Sequence, residues 1–173
     1  MIFPTKKFTK DRFEDYIQNY DFGTTIPGRL IVHNYRNVSP KSFKGNVSIQ
    51  QILGKYQQSG WPAFPHIFIS EDEIYNTYSL AKVGCHAGKH NATWQKGTET
   101  LGGYFFEEAV LKDYALGIVL IGNYDTEEPS DALLETLNHV VEVLQKRLHL
   151  RDEAVIMYRD LAPTNAPGIR IKG

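Results

Sequence analysis

The chain has 173 residues, 42% hydrophobic and 23% charged, enough for one globular domain with a sizeable core. A net charge of -1 gives no general attraction to nucleic acid or anionic membrane. The single cysteine, Cys85, excludes an internal disulfide and a cysteine-rich zinc module.

No apolar run reaches the ~18 residues of a membrane-spanning helix. The N-terminus, MIFPTKKFTKDRFEDY, lacks the apolar centre of a secretory signal, so no export is expected from it and the localisation stays unknown.

Taken in chain order, Lys10–Tyr20 predicts a short amphipathic helix with Phe13, Tyr16 and Ile17 on one face. DFGTTIPG is a turn region, and Leu30-Ile31-Val32 a short buried strand ending at His33. After the loop VSPKSFKGN, Ser48 and Gln51 form an S-x-x-Q capping-box pattern. The helix behind it turns Ile49, Ile52, Leu53 and Tyr56 inward and ends at Gly60. HIFIS and EIYNTYSL predict a hairpin turning at Glu71-Asp72.

Residues 82–103 are Gly-rich and polar and read as a long loop, of the kind that often carries function. LGIVLIG (116–122) is continuously apolar, as a central strand buried on both faces would be. Ser130 caps a long helix with Leu133, Leu137, Val140, Val141, Leu144 and Leu148 at helical spacing. Glu153–Met157 is a last strand. The order predicts an α/β fold, a central mixed β-sheet flanked by helices. Residues 1–27 read as an N-terminal helical extension and 28–173 as a single globular unit.

Six histidines are present. His139 and His149 lie on or beside the long helix and read as packing or surface residues. His33, His66, His86 and His90 fall at strand ends or in the 82–103 segment. Each alone is ordinary; together they mark one cleft, because loops at strand ends gather there.

Five segments, IVHN (31–34), GWPAFPHIFIS (60–70), CHAGKHN (85–91), LGIVLIGNYD (116–125) and YRDLAPTNAPG (158–168), resemble the zinc-dependent N-acetylmuramoyl-L-alanine amidase family, which includes phage lysozyme-type amidases and peptidoglycan recognition proteins. The family blocks read roughly V-H-x, G-W-x-D-x-x-Y-H-F-x-I, H-A-x-G-x-N, I-G-I-x-x-x-G-N and H-R-D-x-x-x-T-x-C-P-G. The resemblance covers about residues 28–168 and implies the same mixed sheet. It also implies hydrolysis of the amide between the lactyl group and L-alanine, with zinc on three protein ligands activating a water.

Carried over by position, His33 is the one family ligand that remains. Tyr158 stands at the second ligand position and Ala166 at the third. Pro65 replaces the family tyrosine before His66, Thr164 holds the assisting position, and Val119 stands where some members carry glutamate. Alanine has no donor, and a phenol is a poor zinc ligand beside imidazole or thiolate. The resemblance therefore implies loss of zinc and of hydrolysis, and no cofactor. Rearranged ligands, with His33 joined by His66, His86, Asp160 or Asn165, remain a minor alternative.

A cleft without its metal still binds. The candidate groove residues are His33, Asn34, Tyr35, His66, His86, Asn91, Trp94, Tyr158, Arg159 and Thr164. Aromatic faces suit sugar or apolar surface, Asn91 suits a stem peptide, and Arg159 offers a fork for a carboxylate. The plainer readings are that Trp94 covers the core, Arg159 pairs with Asp160, and Tyr158 packs against His33.

Three functions follow from the sequence. The first is a non-catalytic binder of peptidoglycan fragments. The second is a zinc amidase with atypical ligands. The third is a scaffold repurposed for a protein partner or another small ligand. The resemblance also implies a helix after the final P-G, where this chain has only IRIKG.

Overall fold

A computed structural model describes residues 2–101 and 104–172. Seven strands form one mixed sheet: β1 (Lys6–Phe8), β2 (Pro27–Tyr35), β3 (Ile67–Ser70), β4 (Glu73–Asn76), β5 (Ala92–Leu101), β6 (Tyr104–Ile121) and β7 (Val155–Met157). The spatial order is β1-β4-β3-β6-β2-β7, with β5 also on β6. The contacts β3–β6, β6–β2 and β2–β7 are parallel; β1–β4, β3–β4 and β5–β6 are antiparallel. Among the described residues three α-helices accompany it: α1 (Lys10–Gln18), α2 (Asn46–Gln58) and α3 (Asp131–Leu148).

The helices divide between the two faces because side chains alternate along a strand. Leu30, Val32, Ile67, Ile69, Ile118 and Leu120 point one way and join Phe13 and Ile17 of α1 and Leu133, Leu137, Val140 and Leu144 of α3. Phe68, Val119, Ile121 and Tyr35 point the other way and meet Ile49, Ile52 and Leu53 of α2. The first core is the larger, and it includes α1, while β1 pairs with β4, so residues 6–18 share the sheet and core of the rest. Fully burying each such aliphatic side chain contributes roughly 1.5–3 kcal/mol.

The expected mixed sheet with helices on both faces is present, with local corrections. The segment 82–103 is not a loop throughout: from Ala92 to Leu101 it is β5, paired with β6, while residues 102 and 103 lie outside those described. The central strand runs from Tyr104, well before Leu116. The signal was the run of threonines and aromatics on either side of Gly102-Gly103, a hairpin pattern hidden by the polar composition.

Ser48 does not cap α2. The helix begins two residues earlier, at Asn46, behind Gly45 with φ 57°, and the Ser48 hydroxyl instead accepts from the Lys44 N–H. Ser130 does cap α3, accepting from Leu133 N–H. β1 has no counterpart in the sequence reading.

Candidate functional site

Strand alternation builds the site. Ile31, His33 and Tyr35 of β2 share the face that Ala115, Gly117, Val119 and Ile121 of β6 present, since β2 and β6 pair in parallel with His33 beside Val119. Gly117 has no side chain, and the gap is filled by His86. A Cβ on Gly117 would lie 2.5 Å from His86 Cγ, and one on Gly84 would lie 2.4 Å from His66 Cε1. These two glycines leave the room in which two imidazoles sit.

The hydrogen bonds assign each ring its tautomer. His66 Nδ1 accepts from Gly117 N–H at 3.0 Å, so its Nε2–H donates to the Lys82 carbonyl at 3.0 Å. His86 Nε2–H donates to the Ala115 carbonyl at 3.2 Å, leaving Nδ1 as an acceptor. His33 Nε2–H therefore donates to His86 Nδ1, at 3.1 Å. All three rings are buried, and burial pushes His33 down to about 3, His66 down to about 4 and His86 well below the ordinary imidazole value. They are neutral at physiological pH.

Tyr158 opens a single helical turn after β7 and lies over His33, ring centroids 4.5 Å apart at 41°. The loop behind it is braced by its own backbone: Arg159 N–H donates to the Ala166 carbonyl at 2.7 Å, and Gly168 N–H to the Asn165 carbonyl at 2.6 Å. Ala166 is buried beneath it.

The opposite wall comes from the end of α2. Gly60, at φ 78°, closes that helix: its N–H reaches the Gln57 carbonyl and the Trp61 N–H reaches the Tyr56 carbonyl. This capping geometry brings the residues at its two ends together. Tyr56 and Trp61 accordingly stack, centroids 4.4 Å apart and planes within 14°.

Between the walls lies a cavity of about 400 Å³ lined by His33, Asn34, Tyr35, Arg36, Asn37, Tyr56, Trp61, Pro65, His86, Val119, Tyr158, Thr164 and Ala166. Of the sequence-derived groove residues, six line it: His33, Asn34, Tyr35, His86, Tyr158 and Thr164. Four stand elsewhere. His66 is fully buried behind His86. Asn91 accepts the His86 and Ala87 N–H groups and holds their turn. Trp94 is 58% exposed on β5 rather than covering the core. Arg159 donates from Nη1 to the Gly168 carbonyl at 2.8 Å, so its guanidinium braces the loop.

Sequence reasoning missed Arg36, Asn37 and the Tyr56–Trp61 wall as groove residues. The wall had a signal, since Gly60 after an apolar helix with aromatics at both cap ends is readable.

A larger cleft, about 640 Å³, lies between Pro40–Phe43 and Glu127–Ser130 and is lined by five carboxylates, Glu71, Asp72, Glu73, Glu127 and Glu128. It contains none of the histidines. The converging aromatic, amide and imidazole groups are in the smaller cavity, and that is the candidate site.

Zinc is implied by the resemblance, and the donors present do not fit it. Three protein ligands must converge. Among the described residues no three His, Cys, Asp or Glu side chains do so. Both nitrogens of His86 and of His66 are engaged in hydrogen bonds, Ala166 carries no donor, and Asp160 and Asn165 are exposed and off the cavity.

A mixed sheet with a histidine-floored groove at the strand ends defines an amidase-like class of domain. A family model described as N-acetylmuramoyl-L-alanine amidase matches residues 25–168, and the chain belongs to that family. A peptidoglycan recognition protein of Bombyx mori is 34% identical over 58 residues, 33% of this chain; the chain spans about 30% of that relative's length.

Among solved structures, the endolysin amidase LysCS from Clostridium intestinale URNW is 21% identical with a TM-score of 0.60, covering 88% of this chain and 85% of that one. A Drosophila PGRP-LB mutant solved in complex with tracheal cytotoxin is 19% identical with a TM-score of 0.63, covering 89% and 82%. At these identities the likeness is one of fold. No helix among the described residues is long and apolar enough to cross a membrane.

Proposed function

We propose that this domain binds peptidoglycan fragments in the 400 Å³ groove without cleaving them. The observation that carries this reading is the state of the histidine pair: His33 donates to His86 and lies under Tyr158, so the corner where the family resemblance puts a metal is occupied by side chains. Hydrolysis in this family is metal-assisted, and without converging ligands no water is activated.

Binding needs none of that. Tyr35, Tyr56, Trp61 and Tyr158 offer flat apolar faces, and Asn34, Asn37 and Thr164 offer amide and hydroxyl groups, a mixture suited to a sugar joined to a short peptide. The family membership and the tracheal cytotoxin held by the PGRP-LB fold neighbour support this choice of ligand.

The test is a pair of assays on one preparation. Purified sacculi and soluble muropeptides are titrated with the protein, and stem-peptide release is followed with added zinc. Binding without release is expected. Release at a metal-dependent rate would restore the amidase with atypical ligands. Absence of all binding would leave the repurposed scaffold.

A further inference from the structure

Among the described residues, one charged side chain lines the groove. It is Arg36, the residue directly after β2; the remaining lining residues are aromatic, aliphatic, amide, hydroxyl or neutral imidazole. Arg36 Nη1 lies 2.9 Å from Asp125 Oδ2, with the arginine side chain 40% exposed and the aspartate 18%. The acid therefore sits behind and the guanidinium in front. Asp125 does not line the cavity. Its other oxygen, Oδ1, accepts the Ile169 N–H at 3.2 Å, and the neighbouring residue Tyr124 accepts the Arg170 N–H at 3.1 Å. Asp125 is thus held by the C-terminal segment, and it holds the arginine in turn.

A guanidinium carries five N–H donors in a planar fork. Asp125 Oδ2 lies against one terminal nitrogen, Nη1, of a side chain that is 40% exposed and lines the groove, so the guanidinium has further N–H donors to offer a ligand there. That geometry matches a planar carboxylate, which takes two parallel N–H bonds. Arg159, the arginine that the sequence offered for this role, is tied to the Gly168 carbonyl and is off the cavity.

We propose that Arg36 receives a carboxylate of the groove's ligand and that Asp125 is its positioning residue. This rests on the groove being the ligand site, and it adds a charge requirement to that reading: the preferred fragment is one whose peptide retains free carboxylates rather than amides. The two carboxylates, the ligand's and Asp125's, would occupy opposite edges of one guanidinium, so they do not compete for the same donors. With no second cation among the described residues of the groove wall, selection between acid and amide falls on this one residue.

The experiment uses two probes, N-acetylmuramoyl-L-alanyl-D-glutamic acid with both carboxyls free and the same compound with both amidated. Each is titrated calorimetrically against the wild-type chain, R36Q, R36K and D125N, with urea unfolding of each variant as the control for folding. The wild type is expected to favour the diacid about tenfold, the value of one charge-assisted pair. R36Q binds the two probes equally, and R36K regains only part of the preference because an ammonium lacks the fork. D125N keeps its fold and loses a severalfold share of the preference.

Equal wild-type affinity for the two probes overturns the assignment of Arg36 while leaving the groove as a binding site. Binding of neither probe removes the groove reading itself, and this inference with it. A preference that survives in R36Q places the recognition elsewhere. A full preference in D125N removes the positioning role of Asp125.

Discussion

His33 Nε2 and His86 Nδ1 lie 3.1 Å apart, and the direction of that bond is set by a carbonyl on the far side of His86, that of Ala115. One backbone oxygen therefore decides which nitrogen of His33 carries its proton. The arrangement works only while His86 is neutral, because a protonated His86 has no acceptor to offer.

Acid should consequently destabilise the fold. In the unfolded chain the histidines take up protons near pH 6.5, whereas in the folded protein burial holds His33 at about 3 and His66 at about 4. Between those limits the unfolded state binds more protons, so stability rises with pH across the window and is lost as pH falls from about 6.5 toward 4. Each of these two rings costs on the order of 2 kcal/mol at pH 5, and together they are a large share of the stability of a typical domain; His86, pushed down in the same direction, adds to the loss. Urea midpoints measured from pH 7.5 to 4.5 would check this; a flat profile would show that the rings are protonated without penalty.

Two glycine substitutions should move stability in opposite directions. Gly117→Ala drives a Cβ to 2.5 Å from the buried His86 ring and is expected to cost about 3 kcal/mol or more. Gly54→Ala, inside α2 with nothing within 4 Å of its added Cβ, should stabilise by roughly 0.5–1 kcal/mol. Equilibrium unfolding of the two variants side by side gives both signs in one experiment. A neutral Gly117→Ala would mean that the histidine cluster relaxes freely.

Rebuilding the metal corner is a third test. Tyr158 and Ala166 line the same cavity as His33. The double change Tyr158→His and Ala166→Cys supplies imidazole and thiolate donors at the two positions that the family resemblance assigns to ligands, and it frees the face of His33 now covered by the phenol. Zinc should raise the melting temperature of the double variant by ligand linkage and leave the wild type unmoved. Elemental analysis after dialysis provides the independent readout. Stoichiometric zinc in the wild type would contradict the donor inventory drawn above.

Removing one wall should weaken binding more than folding. Trp61→Ala removes the ring stacked on Tyr56 at the rim of the cavity. Muropeptide affinity is expected to fall about tenfold, an aromatic contact being worth ~1 kcal/mol beyond its buried area. The Gly60 cap is made by backbone groups and should persist, so the melting temperature should shift little. Unchanged affinity would take the Tyr56–Trp61 wall out of the recognition surface.

Much of this was legible in the sequence, and the parts that were not share a cause. His33 and Tyr158 were placed by motif order because each lies in or directly after a strand, β2 and β7, whose apolar run is plain, and Ala166 followed from its place in the loop motif after β7. The continuous run of LGIVLIG located the strand at the centre of the sheet. β5 escaped because its threonines and its one tryptophan are diluted by glycine and charge, so composition spoke for a loop while pairing made a strand. Arg36 escaped for a different reason. It sits one residue beyond β2, where periodicity ends and nothing local says which way a side chain turns. Arg159 misled in the opposite sense, since the sequence offers a guanidinium but cannot show that the Gly168 carbonyl engages it.

The alternation of β2 has a consequence for how this strand tolerates change. Leu30 and Val32 belong to the core beneath α3, while His33 and Tyr35 belong to the groove. A saturation library across residues 30–35, sorted once for folded protein and once for ligand capture, should therefore separate two classes of position. Leu30 and Val32 should respond in the folding sort, whereas His33 and Tyr35 should respond in both, because His33 is bonded to His86 and Tyr35 also packs on α2, so recognition along this segment drifts only together with the stability of the second core.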